Sequence, residues 1–161
     1  MEITQERVRE LFDYREGGVL VRRVRRGPGM PGDIVGSARK DGYLSVFIGG
    51  HHHLLHRVIF LWHHGWLPAQ VDHRDLNRSN NRIDNLRPAT QSNNGANRGA
   101  YASNKSGFKG VCWNRAVGKW QAQIRVNRKV KHLGYFNDPA EGGAVYAKAA
   151  AELHGEFARV A

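Results

Sequence analysis

Cysteine is nearly absent from this chain of 161 residues, which has only Cys112. One thiol cannot close an internal disulfide, and it cannot supply the paired cysteines of a zinc framework. Long apolar runs are absent too, because His56 and Arg57 interrupt the longest one, well short of the roughly 18 residues of a membrane-spanning helix. The N-terminus shows neither a basic n-region nor a small-residue cleavage site, so we expect no secretory signal. These absences predict a protein of the reducing cytoplasm.

Acidic residues are scarce relative to basic ones, with 14 Asp plus Glu against 25 Lys plus Arg and a formal net charge of +11. The segment 101–137 carries eight Lys or Arg and no acidic residue. This charge predicts a polyanionic partner, and nucleic acid is favoured over a membrane because no long basic amphipathic helix is present. The hydrophobic fraction of 40% is enough for packed cores, so we expect a folded protein.

The first half of the chain reads as short helices and strands. Val8, Leu11 and Phe12 recur at helical spacing and predict a helix that ends before Gly17-Gly18. Strands are predicted over 18–24 and 43–48, with a long loop over 25–40 between them. A second helix, rich in Leu, Ile and Val, is predicted to end at Gly65 and to form the core.

The last third predicts a three-stranded antiparallel sheet followed by one helix. Three runs with strand character, over 108–115, 119–126 and 129–136, are separated by short turns. Asp138 and Pro139 have the features of a helix start, and Gly155 those of its end. Alternation in the middle strand directs Trp120, Ala122, Ile124 and Val126 to the core and Gln121, Gln123 and Arg125 to a contact face. We expect the helix to pack on the core side through Ala144, Val145, Ala147, Ala151 and Leu153.

Between these regions, the segment 71–94 is dense in Asp, His and Asn. Phosphodiester hydrolysis needs a base for water, a cation against the phosphate charge, and a group that holds the base in the correct tautomer. His73 can take a proton near neutral pH, Asp72 and an amide oxygen are hard ligands that Mg²⁺ prefers, and Asn85 can bond to an imidazole nitrogen. The segment is therefore a candidate hydrolytic site.

The motifs Asp72-His73, Asn80-Asn81-Arg82, Asn85-Leu86-Arg87 and Asn94 resemble the HNH, or ββα-metal, endonuclease motif. The upstream His56-Arg57 is similar to the His-Arg of phage homing endonucleases. The resemblance implies that His73 is the general base and Asn85 its orienter, and that Asp72 and Asn94 bind one divalent ion. Asn94 stands where many relatives have a metal-binding histidine, which favours Mg²⁺ or Mn²⁺ over zinc.

The C-terminal region resembles the AP2, or ERF-type, DNA-binding domain through Gly107-Phe108-Lys109-Gly110-Val111, Gly118-Lys119-Trp120 and Leu133-Gly134-Tyr135-Phe136. A nuclease motif followed by such a module is typical of phage HNH homing endonucleases. The resemblance implies that this sheet binds double-stranded DNA. The expected DNA-binding residues are Lys109, Arg115, Lys119, Gln121, Gln123, Arg125, Lys129, Lys131, His132 and Tyr135.

Several residues have a second interpretation. Asn77, Asn80 and Asn81 are interpreted as turn formers, since Asn tolerates the left-handed region and bonds to its own backbone. Arg82 and Arg87 either clamp phosphate or lie solvated. Seven of nine histidines fall between His51 and His73, but their spacing gives no convergent ligand set, so we assign most of them surface or packing roles.

The sequence thus predicts an α+β protein with an HNH nuclease domain at 1–98, a linker at 99–105 and an AP2-like DNA-binding domain at 106–161. The predicted function is metal-dependent cleavage of double-stranded DNA, by nicking or double-strand scission, with targeting by the C-terminal module. A non-catalytic DNA-binding regulator and a binder of structured RNA are the alternatives. No membrane and no protein partner is implied, and the sequence leaves open the target site and the choice between monomer and dimer.

Overall fold

The computed structural model describes residues 3–101 and 103–160, which divide into two compact units, Met1–Ala89 and Thr90–Ala161. The helices are α1 (Gln5–Leu11), α2 (Leu55–His64), α3 (Gln91–Asn97) and α4 (Pro139–His154). The strands of the first unit are β1 (Phe12–Arg15), β2 (Val19–Arg22), β3 (Ile34–Val35), β4 (Ser37–Ala38), β5 (Leu44–Ile48), β6 (His51–Leu54), β7 (Gln70–His73) and β8 (Leu86–Ala89). Those of the second are β9 (Val111–Asn114), β10 (Lys119–Val126) and β11 (Lys129–Phe136). No helix within the described ranges is both long and apolar enough to cross a bilayer.

The first unit packs small antiparallel sheets around α2. Its sheets have the strand orders β1-β2-β3, β4-β5-β6 and β7-β8. The predicted second helix is confirmed as α2, and Gly65 ends it in the left-handed conformation with its N–H bonded to the Leu61 carbonyl. Val58, Ile59 and Phe60 of α2 are buried in the core of this unit.

Two expectations for the first unit are corrected. The first helix ends at Leu11, and Phe12 begins β1 because it pairs with Arg22 in the hairpin that Gly17-Gly18 closes. The segment 25–40 is not a loop throughout, since it contains β3 and β4, which pair with β2 and β5. Both differences come from cross-strand pairing, which local periodicity does not reveal.

The second unit contains the predicted antiparallel sheet, in the order β11-β10-β9, with α4 packed on it. Asp138 caps α4 by accepting a hydrogen bond from the Ala140 N–H at 2.8 Å. The predicted helix face is wrong, because Gly142, Tyr146 and Ala150 are the buried residues of α4. Gly143 explains the choice of face, since a Cβ there would lie 2.5 Å from Phe108 Cδ1 and force the helix away.

The compact units divide the chain earlier than the predicted domain boundary, so α3 belongs to the second unit. Two contacts tie α3 to that unit. The Lys109 Nζ donates a hydrogen bond to the Ala96 carbonyl, and the Asn127 N–H donates to Ser92 Oγ at 3.4 Å.

Candidate active site

The Asp72-His73 pair ends strand β7, where the antiparallel partner β8 covers it. Asp72 lies opposite Arg87 and His73 opposite Leu86. Asp72 is only 8% exposed and His73 only 4%. Because successive side chains of a strand point to opposite faces, the carboxylate and the imidazole have different neighbours.

The carboxylate of Asp72 forms a buried ion pair with Arg87. The Nε and Nη2 atoms of Arg87 donate to Asp72 Oδ2 at 3.0 and 2.9 Å. The expectation that Arg87 clamps phosphate or lies in solvent is corrected, since the residue is 3% exposed and faces this carboxylate. Arg82 is different: it is exposed and bonds to Asp84 at 3.3 Å, so its contact with phosphate stays a prediction.

The imidazole of His73 is held by Asn81. The two side chains meet through His73 Nε2 and Asn81 Oδ1 at 2.9 Å in a buried hydrogen bond. A carbonyl oxygen can only accept, so this bond forms with the His73 tautomer that carries its proton at Nε2. Our interpretation of Asn81 as a turn former is therefore wrong.

Asn81 is fixed by the hairpin between β1 and β2. It is 1% exposed, and Gly18 packs directly on its backbone. A Cβ at Gly18 would lie 2.3 Å from the Asn81 carbonyl carbon and 2.4 Å from the Arg82 nitrogen. The hydroxyl of Tyr14 also accepts a hydrogen bond from the Ile83 N–H at 3.3 Å. The hairpin thus supports the segment that holds His73.

Asn85 organises the loop that follows His73. Its Oδ1 accepts from the Asp75 N–H at 3.1 Å, while its Nδ2 donates to Asp75 Oδ1 at 2.9 Å and to the Asn80 carbonyl at 2.8 Å. The expected direct bond from Asn85 to the imidazole is therefore corrected. Within the described residues, the Asn85 amide joins Asp75 to Asn80 at the two ends of the loop, and the imidazole is bonded by Asn81 instead.

Asp75 is the acidic centre of this loop. Partial burial by itself raises the pKa of Asp75, but hydrogen bonds from Asn80, Asn85 and the Asn77 N–H together outweigh it and bring the pKa below its ordinary value. The carboxylate is thus kept charged as the acceptor of these bonds. Asn77 and Asn80 act as loop residues, as we interpreted them.

Aromatic side chains surround His73. The ring of His56 lies edge-on to it, with the centroids 4.8 Å apart, and the ring of Tyr43 lies 5.2 Å from His56 and 6.0 Å from His73. Burial lowers the pKa of His56 to about 3, with further contributions from the charges of His73 and Arg57. His56 is therefore neutral at physiological pH.

Asn94, the other expected metal ligand, lies on α3 in the second unit. Thr90 caps this helix, because its Oγ1 accepts a hydrogen bond from the Asn93 N–H at 3.2 Å. The Asn94 side chain is partly buried and offers an amide oxygen. No cluster of three or more His, Cys, Asp or Glu side chains suited to a metal occurs in 3–101 or 103–160.

The exposed face of the C-terminal sheet contains part of the predicted DNA-binding set. Residues paired across antiparallel strands share a face, and Gln121 pairs with Tyr135 while Gln123 pairs with His132. Gln121 also bonds to Asn114 Nδ2 at 2.9 Å and to His132 Nδ1 at 3.3 Å. Lys119 and Arg125 follow the alternation of Gln121 and Gln123 and lie on the same face.

The other predicted contacts lie elsewhere. Lys129 and Lys131 pair with Val126 and Ile124, so they belong to the side of the sheet on which α4 packs. Lys109 is half-buried, and burial lowers its pKa to about 8, with the Arg159 charge adding to the effect. Arg115 lies in the exposed turn between β9 and β10. The pairing of Lys129 and Lys131 therefore places both lysines on the side of the sheet opposite the contact face.

Comparisons with known proteins match the segment that contains these residues. Residues 53–96 match the family model of the HNH endonucleases. Protein 3.8 of Escherichia phage T7 is 36% identical over 89 residues, which cover 55% of this chain and 73% of the phage protein. A protein of Acanthamoeba polyphaga mimivirus named as an HNH endonuclease is 34% identical over 107 residues, or 65% of this chain and 54% of that protein. No solved structure matches.

The buried His73 at the end of β7 and the family match around it define the class of the protein, which is a nuclease. The chain belongs to the family of the T7 protein, and its residues 53–96 form an HNH endonuclease family domain. This membership confirms the predicted enzyme and sets aside a purely non-catalytic regulator. The AP2-like resemblance of 106–161 and the homing type stay predictions.

Proposed function

We propose that this chain is a metal-dependent endonuclease of the homing type that hydrolyses phosphodiester bonds of double-stranded DNA. The observation that carries the proposal is the His73–Asn81 hydrogen bond of 2.9 Å, which orients a buried imidazole within the matched segment. The relative in Escherichia phage T7 further favours action in the cytoplasm of a bacterial or phage-infected cell.

The donor chemistry fits a hard divalent ion, with Asp72 and Asn94 as its protein ligands. Both offer oxygen, and the Arg87 guanidinium fixes the orientation of the Asp72 carboxylate. Two oxygen ligands leave coordination positions for water and a substrate phosphate, an arrangement that Mg²⁺ and Mn²⁺ accept readily. When bound, such an ion stabilises negative charge on the phosphate and on the departing 3′ oxygen. Asn94 is included as a ligand because it lies in the matched segment and offers an amide oxygen.

His73 accepts a proton at Nδ1 from the attacking water, while Asn81 keeps the other ring nitrogen protonated. Asn85 acts on this base indirectly, because it joins Asp75 to Asn80 and so fixes the loop that leads to Asn81. We propose that the orienting role expected of Asn85 is divided in this way between two asparagines.

Targeting is assigned to the sheet of the second unit. Gln121, Gln123, Arg125, His132 and Tyr135 line one face, which offers amide and guanidinium donors of the kind that read base edges. The segment 101–137, which has eight basic and no acidic residues, supplies the sequence-independent attraction to phosphate. Lys119 on this face, Arg115 in its turn, and Lys109, Lys129 and Lys131 away from it are proposed at most as phosphate contacts.

The proposal is tested by incubating supercoiled plasmid with the full chain and Mg²⁺. We expect nicked or linear product that disappears with EDTA, and sequencing of the ends locates the cuts. Structured RNA and duplex DNA are then compared as competitors at matched salt. Absence of cleavage with Mg²⁺ and Mn²⁺, or stronger competition by RNA, would contradict the proposal.

The targeting assignment needs its own comparison in the full chain. Arg125→Ala and Gln123→Ala should flatten the distribution of cut sites, whereas Lys148→Ala on α4 should preserve it. An unchanged distribution in the sheet variants would refute the assignment.

A further inference from the structure

We propose that Arg78 forms a phosphate-binding subsite beside His73, which holds a backbone phosphate of the DNA strand near the scissile one. The inference rests on the proposed function, since it assigns a further contact to the same substrate.

The guanidinium of Arg78 has no acidic partner within residues 3–101 and 103–160. The carboxylate of Asp41, whose backbone carbonyl Arg78 contacts, is paired with Arg39, and Arg39 Nη2 lies 3.0 Å from Asp41 Oδ2. Arg82 and Arg87 differ in this respect, because they pair with Asp84 and Asp72. Arg78 therefore presents an exposed positive charge that no described carboxylate neutralises.

The same guanidinium is nevertheless held in place. Its Cζ lies 4.9 Å from the centroid of the Tyr43 ring, and its Nη1 donates to the Asp41 carbonyl at 2.5 Å. The next residue, Ser79, bonds to the Gly42 carbonyl at 3.4 Å, so two loops are joined at this point. Stacking and one backbone bond leave Nε and Nη2 as donors for a ligand.

Tyr43 connects this charge to the catalytic imidazole. Its ring centroid lies 6.0 Å from that of His73 and 4.9 Å from Arg78 Cζ. Arg78 Cζ is therefore no further from the centre of the His73 ring than these two distances laid end to end, a span that neighbouring phosphates of one strand can cover. A strand whose phosphate reaches His73 thus brings a neighbouring phosphate within range of Arg78.

The chemistry of the group favours a phosphodiester as its ligand. A planar guanidinium presents parallel N–H donors to two phosphate oxygens, and the bond is strengthened by charge. Because Tyr43 and the Asp41 carbonyl already restrict the side chain, little conformational entropy remains to be lost on binding. The subsite would help to place the scissile bond against His73.

Salt-dependent binding distinguishes this role from a structural one. Duplex binding by the full chain is measured in EDTA by fluorescence anisotropy across a KCl series for the wild type, Arg78→Ala and Arg78→Gln. Loss of one phosphate contact should lower the slope of log affinity against log salt by about 1. Arg7→Gln, which removes an exposed charge paired with Glu10 on α1, is the matched control and should keep the slope.

Plasmid nicking in Mg²⁺ supplies the second measurement. We expect Arg78→Gln to raise KM about tenfold while kcat changes little, because the lost contact is present before and during the reaction. Arg78→Lys keeps the charge and should retain the salt slope. Arg78→Gln keeps a polar, uncharged side chain at this position, so it serves if Arg78→Ala does not fold.

The outcomes separate this inference from the function on which it rests. Equal slopes and KM values in the wild type and Arg78→Gln, or an equal loss in Arg7→Gln, would overturn the subsite. A wild-type chain that neither binds nor cuts duplex DNA would instead overturn the proposed function, and the subsite with it.

Discussion

Replacement of Gly18 by alanine should damage both stability and activity, because this glycine packs on the backbone that carries Asn81. The added Cβ would lie 2.3 Å from the Asn81 carbonyl carbon and 2.7 Å from its oxygen. These are main-chain atoms, so rotation of a side chain cannot relieve the overlap. The segment 81–82 must move, and the hydrogen bond to His73 moves with it.

The expected loss of unfolding free energy in Gly18→Ala has two contributions. Gly18 has φ +82°, a conformation that costs an alanine roughly 1–2 kcal/mol. Overpacking against the backbone adds about 1–3 kcal/mol. Gly17, with φ +94° and nothing within 4 Å of an added Cβ, shares the first contribution without the second.

The assay compares Gly17→Ala with Gly18→Ala by urea unfolding and by plasmid nicking. We expect Gly17→Ala to lose only the conformational contribution and to keep its nicking rate. Gly18→Ala should lose about 1–3 kcal/mol more and should nick more slowly even where it remains folded. Equal free energies of unfolding and equal rates in the two variants would refute the packing argument.

Three further predictions concern Asn81, Arg87 and His56. Asn81→Ala should lower kcat about tenfold to a hundredfold with little change in KM. Asn81→Asp keeps an accepting oxygen for His73, so its kcat should fall less. Equal kcat values in both variants and the wild type would contradict this role of Asn81. Arg87→Ala should destabilise the fold by about 3–5 kcal/mol in urea unfolding because it leaves the Asp72 carboxylate buried without this cation, and a loss below about 1 kcal/mol would argue against the buried pair. The folded pKa of His56, about 3, lies below the unfolded value, so the unfolded chain binds the proton first and stability should fall as pH decreases from about 6.5 towards 3. His56→Phe should flatten this dependence in unfolding curves at several pH values, and an unchanged slope would show that other groups cause it.

Local patterns in the sequence were sufficient for most elements of the second unit. The alternation of Ala122, Gln123 and Ile124 correctly separated core from surface, and Asp138 and Gly155 marked the ends of α4. The face of α4 was wrong because it was assigned from apolar side chains alone, which leaves out a buried glycine such as Gly142. In the structure Gly142 lies against Val111 and Phe136 of the sheet, where a larger residue would hold the helix further away.

The candidate site was predicted in its residue types more than in its contacts. The Asp72-His73 pair and its hairpin follow from the motif, but Asn81 was missed because asparagine is equally typical of turns. Both the burial of Asn81 and its bond to His73 depend on packing against Gly18, which is remote in sequence. Arg87 was misplaced for a related reason, since its partner Asp72 is identified only by the register of β7 and β8.

The role of His73 is tested most directly by single-turnover nicking of supercoiled plasmid in Mg²⁺, with the wild type and His73→Ala compared at equal DNA occupancy. A general base contributes about 10²-fold to 10⁴-fold to such a rate. We therefore expect His73→Ala to bind DNA as the wild type does and to cut slower by that factor. A variant that cuts at the wild-type rate would contradict the assignment of His73 as the base.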